Sequence, residues 1–242
     1  YITSALEYET LAMLGSNLGI DDLDTIAKLD RYCDELGIDT IETGNTLGAL
    51  NHAGMFEFGD GKKALEYVRE IEKGTPMGMI LGSGTETACK TLGIDRVPAI
   101  RGLGIPAHMA RSQKGWGVSY ATSPQGADHT AGAVGEDPLS PYGQADRSRY
   151  SQISMAAFDS LGMCWFTFIN GSYDLLLPMI NALYDLNWDA RQYLEMGKKM
   201  IRMEIAFNRK AGLGPEQQQM PQWLKQESLP PTNARFDVPD ED

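Results

Sequence analysis

The sequence of 242 residues predicts a mainly α protein built from two helical domains, with few or no strands. Three observations carry this. Apolar residues recur at helical spacing through most of the chain. Alternating runs of the strand type are sparse. Several helical runs close on Leu-Gly plus an aliphatic residue, as when a left-handed glycine ends a helix and the next side chain packs back. A stretch rich in Gly, Pro, Ser and Asp, from Val97 to about Arg147, breaks the periodicity and places a division near residues 95–105. Residues 1–100 are then the first helical domain. Residues 101–242 are the second, with a long loop region at its start and an extended tail at its end.

Taken in order, Asp21 or Asp22 N-caps a helix running to Leu36, with Leu23, Ile26, Ala27, Leu29, Tyr32, Cys33 and Leu36 near helical spacing. Gly37 supplies its left-handed stop. Thr40 to Phe58 reads as a weaker helix interrupted by glycines. Lys62 to Lys73 is clearly amphipathic and ends at Gly74 and Pro76. A short helix follows from Ser83 to Leu92. The irregular stretch carries aromatics and a His129-Thr130-Ala131-Gly132 turn, which favour a functional loop over a disordered one. Helices resume at Arg149–Leu161, Leu175–Leu186 and Asp189–Ala211. Residues 213–242 carry five prolines and a terminal Asp-Glu-Asp, and read as extended.

Composition narrows the function. Hydrophobic residues make up 42% and charged residues 22%, an ordinary globular balance. The longest apolar runs fall far short of a membrane span, and no signal peptide opens the sequence. The chain opens on Tyr1 rather than Met, so its start is expected not to be the native one. A formal charge of −12 argues against nucleic acid, whose phosphates need Lys and Arg, and agrees with a cytoplasmic enzyme. Cys33, Cys89 and Cys164 are odd in number and include no CxxC pair, which favours a reducing compartment over a disulfide framework.

Two of the helix endings share more than a glycine. Residues 34–39 read Asp-Glu-Leu-Gly-Ile-Asp and residues 159–164 read Asp-Ser-Leu-Gly-Met-Cys. Leu18-Gly19-Ile20, Leu92-Gly93-Ile94 and Leu103-Gly104-Ile105 serve as controls. They carry Ser16, Lys90 and Arg101 three residues before the glycine, where the hexads carry Asp34 and Asp159. An acid in the last turn faces the negative end of the helix dipole, so its recurrence asks for a partner. A carboxylate accepts two parallel N–H bonds from an amino-pyrimidinone edge, the edge of pterins and guanines. A glycine lets backbone approach a flat ligand.

Other polar residues allow two readings each. Cys164 is either a small packing residue or a thiolate ligand to a metal or cluster. His129, in a small-residue loop, is either structurally bonded or a proton carrier. Glu9, before an apolar run, is on its own only a helix-face acid.

Tyr8-Glu9-Thr10-Leu11, the run from Leu14 to Leu23, Cys33-Asp-Glu-Leu-Gly-Ile-Asp-Thr-Ile41, Tyr120-Ala-Thr-Ser123, Gly126-Ala-Asp-His-Thr130 and Asp159 to Cys164 together resemble the tungsten-containing aldehyde ferredoxin oxidoreductase family. The resemblance runs from Tyr8 to about Gly212. It implies two helical domains clasping a bis-pterin tungsten cofactor, with molybdenum as the alternative metal. Asp34 and Asp159 would grip the pterin amino edges, and Gly37, Ile38, Asp39, Gly162 and Met163 would complete the contacts. Cys164 would be one ligand of a [4Fe-4S] cluster. Glu9 and His129 would stand near the metal, to activate water and to polarise the aldehyde oxygen. Magnesium bridging the pterin phosphates, an N-terminal domain, a ferredoxin-like electron carrier and a homo-oligomer complete the implied set. The family's CxxCxxxC segment and N-terminal domain lie outside this sequence, so the chain is expected to be a portion unable to hold the cofactor alone. The implied activity is oxidation of an aldehyde to a carboxylic acid. The alternatives are a reductive enzyme of the same superfamily acting on an aromatic acyl thioester, and a non-catalytic helical binding module.

Overall fold

The computed structural model describes residues 3–167 and 173–239. Helices dominate, as expected, and the only strands among the described residues form one two-residue hairpin. The chain divides into two compact units. One runs to Met109 and takes in Gln219–Glu227; the other is Ala110–Gln218 with the residues from Ser228 onward.

The first unit contains α1 (Tyr8–Leu14), α2 (Leu23–Leu36), α3 (Thr40–His52), α4 (Gly61–Lys73), α5 (Pro76–Leu81) and α6 (Thr85–Leu92), then the antiparallel hairpin β1 (Ala99–Ile100) and β2 (Leu103–Gly104). Side chains cap most of the helix starts. Asp22 accepts from Thr25 N at 3.1 Å, Asp60 from Lys63 N at 3.0 Å, and Thr75 from Gly78 N at 3.1 Å with Pro76 in the first turn. The apolar stripes of α2, α3 and α4 meet in a core of Leu14, Leu29, Cys33, Leu47, Leu50 and Val68. Each buried Leu or Val contributes about 1.5–3 kcal/mol of transfer free energy.

The second unit contains α7 (Lys114–Thr122), α8 (Gln144–Ser160), α9 (Tyr173–Tyr184) and α10 (Ala190–Lys210). Its core gathers Met155, Phe158, Leu176, Ile180 and Tyr193. Gly197 brings α10 against α8, since a Cβ there would stand 1.9 Å from the Ile153 carbonyl oxygen. A capping box at Asp189 and Gln192 opens α10 where the sequence places its start. No helix of the described residues is long and apolar enough to cross a membrane.

Four of the elements that differ from expectation have a plain physical reason. The weak helix stops at His52, not Phe58, because Gly54 takes φ +74° and Asn51 Nδ2 donates to the Phe56 carbonyl to lock the reversal. The expected irregular stretch contains α7, which is buried from Lys114 to Ala121 and so has no polar face to mark a period. Helix α8 begins at Gln144, before Arg149. Its polar first turn lacks apolar signals and is anchored by Gln144 Nε2 donating to the carbonyls of Asp137 and Ser140. The tail is not wholly extended: it forms α11 (Gln222–Gln226), which returns to the first unit. The terminal Asp-Glu-Asp and Phe168 lie outside the described residues.

Candidate functional site

The two hexads share a left-handed glycine after a helix, and the first also makes the full paired ending. In the first, Gly37 takes φ +65°, its N–H donates to the Asp34 carbonyl at 3.3 Å, and Ile38 N donates to the Cys33 carbonyl at 3.0 Å. These are the paired bonds of a Schellman ending. In the second, Gly162 takes φ +69° and its N–H donates to the Asp159 carbonyl at 2.9 Å. Ile38 and Met163, the residues after each glycine, pack back on the cores of their own units. A Cβ added at either glycine would meet nothing within 4 Å, so the surface beside each is open.

The controls separate structure from chemistry. Gly93 ends α6 with φ +70° and equally open space. An open glycine is therefore not peculiar to the hexads, although at Gly19, of the same form, Phe58 fills the space. What differs is the residue three before it: Lys90, which pairs with Glu86, against Asp34 and Asp159. The Asp34 carboxylate is exposed and makes no hydrogen bond or ion pair with a described residue. Asp159 is also exposed, yet its carboxyl is held above the usual carboxylate range, first by burial of part of the group and then by the Asp128 charge. Asp39 has a local task, since its Oδ1 caps α3 through Glu42 N at 2.8 Å. Its other oxygen is not used by the cap.

Glu9 leaves the surface of α1 and turns inward, its side chain 12% exposed. Ala107 N donates to its Oε2 at 2.8 Å, while Oε1 is buried without a hydrogen bond. His108 Nε2 lies 3.6 Å from Oε1, and the Tyr8 ring lies against that imidazole with centroids 5.4 Å apart. The loop carrying His108 is pinned twice more from α3. Glu42 Oε1 accepts from Gly104 N at 2.6 Å, and Asn45 Nδ2 donates to the Ile105 carbonyl at 2.9 Å. Glu42 Oε2 also accepts from Thr85 N at the start of α6, which has no side-chain cap of its own. Neither His108 nor Glu42 stands out in the sequence. Their partners are distant along the chain, and no local period points to them.

In the second unit, His129 stacks on Trp116 of α7 with ring centroids 6.4 Å apart and planes at 15°. Its Nδ1 lies 3.9 Å from Asp128 Oδ1, which also accepts from Thr130 N and Oγ1 to shape the turn. Asp128 and Asp159 sense each other's charge, as do Asp159 and Glu204, whose carboxyl burial likewise raises. Cys164 is exposed, whereas Cys33 and Cys89 are buried, with the Cys33 thiol pushed up to about 11 by burial. Among the described residues, no three of His, Cys, Asp and Glu gather as a metal site. Each unit presents one exposed carboxylate, Asp34 or Asp159, of the type that accepts two parallel N–H bonds. Cys164 is the exposed thiol among the described residues.

The family model described as aldehyde ferredoxin oxidoreductase, domains 2 and 3, matches residues 2–241. The tungsten-containing aldehyde ferredoxin oxidoreductase of Pyrococcus furiosus is 29% identical over 255 residues, covering 94% of this chain and 42% of the relative. That of Thermococcus kodakarensis is 28% identical over 257 residues, covering 95% and 42%. The aliphatic sulfonate oxidoreductase, WOR-like subunit, of Pyrococcus furiosus is 32% identical over 225 residues, covering 84% and 34%. The chain thus spans less than half the length of the relatives it matches.

Proposed function

The chain belongs to the aldehyde ferredoxin oxidoreductase family, and on that footing we propose that it supplies the two helical domains of an enzyme oxidising an aldehyde to a carboxylic acid at a bis-pterin tungsten centre. Conversion of an aldehyde and one water to a carboxylate releases two electrons and three protons. A tungsten–pterin group held by this chain would supply the two-electron acceptor, and a [4Fe-4S] cluster would supply the one-electron path to ferredoxin or a similar carrier. The rest of the work falls to this chain. Asp34 would receive the amino edge of one pterin and Asp159 that of the other. Gly37 and Gly162 leave room for a flat ring, while Ile38 and Met163 fix the two loops to their cores. Asp39 keeps α3 capped beside the first grip and offers its free oxygen. Cys164 contributes one thiolate to the cluster. Glu9 takes a proton from water at Oε1, and His129, braced on Trp116, donates to the aldehyde oxygen.

The observation that carries this reading is the pair of matched helix endings with an exposed carboxylate beside an open glycine, set against the Lys90 ending of the same shape. The test is made in the full-length protein, by fluorescence of the released pterin and by metal analysis. Asp34→Ala and Asp159→Ala are each expected to cut pterin and tungsten content severalfold, and Lys90→Ala to leave both unchanged. Full pterin content in both Asp variants would remove the grips. A full-length protein without tungsten or molybdenum, and without aldehyde-dependent reduction of a viologen dye, would remove the activity. The match to a subunit named for aliphatic sulfonates supports a second reading, in which an alkanesulfonate is the substrate. Offering one in the same dye assay decides between them.

A further inference from the structure

Glu9 poses a problem of proton traffic. Each turnover releases protons, so a base that accepts one at Oε1 must return it to solvent before the next. Oε1 is buried and has no hydrogen bond among the described residues. Oε2 is occupied by the Ala107 N–H, a donor that cannot carry a proton onward. A titratable group at hand is His108, whose Nε2 lies 3.6 Å from Oε1 and whose side chain, at 24% exposed, is twice as open as that of Glu9 at 12%. The imidazole is thus the more open of the two groups and stands beside the buried oxygen.

We propose that His108 is the proton relay of Glu9, a positioning residue that acts through the carboxylate and does not touch the substrate. It rests on the reading of Glu9 as the base. In the relay step the O–H bond at Oε1 breaks and an N–H bond forms at Nε2, and the imidazolium so formed then gives up one proton toward solvent, so that charge and atoms balance without a redox partner. A shift of under 1 Å would bring 3.6 Å to hydrogen-bonding distance. The surroundings keep the ring where this shift suffices. Tyr8 covers one side of it from α1, and the Glu42 and Asn45 bonds from α3 fix the loop at Gly104 and Ile105. The titratable groups facing the imidazole from α1 are Glu9 and Tyr8. Glu42, on α3, is already engaged with Gly104 and Thr85.

The test uses the full-length holoenzyme, with metal and cluster content checked in each variant. His108→Ala is expected to lower kcat about tenfold or more, within the range general acid–base groups contribute. Imidazole added to the buffer is expected to restore much of the loss, more strongly as pH rises and its free base accumulates. His108→Gln, which fills the space, is expected to show the same loss without rescue. Histidine-labelled nuclear magnetic resonance gives a readout apart from turnover: in Glu9→Gln the His108 imidazole should titrate at lower pH, having lost a neighbouring carboxylate. Wild-type kcat in His108→Ala, or a loss that imidazole does not restore, overturns the relay. Retained activity in Glu9→Gln overturns instead the assignment of Glu9 as the base, so the two failures are distinguishable.

Discussion

Asp159 carries an electrostatic burden. Both Asp34 and Asp159 stand in the last turn of a helix, where the dipole opposes negative charge. Asp159 is in addition partly desolvated and faces the Asp128 charge, and both effects raise its carboxyl. A carboxyl raised by folding binds its proton more readily folded than unfolded. It leaves stability intact below the ordinary carboxylate range and lowers stability as pH climbs through the raised value. Asp159→Asn, without cofactor, should therefore melt higher than wild type at pH 7, and the gain should fade as pH drops toward 4. Screening of a partly exposed group limits the gain to about 2 °C. Scanning calorimetry across that pH range checks it, and a melting point at or below wild type at pH 7 would contradict it. The expected trade, stability against ligand grip, is the usual mark of a side chain kept for binding.

At the scale of elements, the corner between α2 and α3 joins a helix cap and the proposed pterin grip in six residues. Asp39 closes it by capping α3, and Ile38 seals it against the core. Replacing Asp39 by Ala should cost about 1 kcal/mol in urea unfolding, the usual cost of an N-cap. Asparagine caps as well as aspartate, so Asp39→Asn should recover most of that loss. An Asn variant as unstable as the Ala variant would show that the charge, not the cap, holds the corner. The same corner shows what is legible in a sequence. Helix α2 could be read because its apolar stripe faces one core and a cap and a glycine mark its ends. Helix α7 could not, because it is buried on all sides and carries two glycines, so neither period nor propensity distinguishes it. The hexads were visible because their bonds are local. The setting of Glu9 was not, because Ala107, the residue holding it, lies 98 positions away.

The whole molecule repeats that contrast in the path of its chain. Pro-rich sequence after Gly212 gives no periodic signal, yet part of it completes the first unit. Trp223 Nε1 donates to the Val97 carbonyl at 3.1 Å, and the Arg96 guanidinium lies 3.8 Å from the Trp223 ring centroid. Arg96 also grips both oxygens of Glu227, at 3.1 and 2.7 Å, and Leu224 is fully buried. The exposed ion pair contributes little by itself, roughly 0–1 kcal/mol. Burial of Leu224 contributes more. The first unit is thus closed by residues that follow most of the second in sequence, and it should lose stability when the return is weakened. Leu224→Ala should destabilise it by about 2–5 kcal/mol, the range for a buried leucine. Hydrogen exchange locates the effect better than a global melt, because two units need not unfold together. Amides around Val97 and β1 should exchange faster, while those of α8 and α10 keep wild-type protection. Equal loss of protection in both units would mean that the return segment supports the second unit as well, and unchanged exchange near Val97 would mean that it does not hold the first.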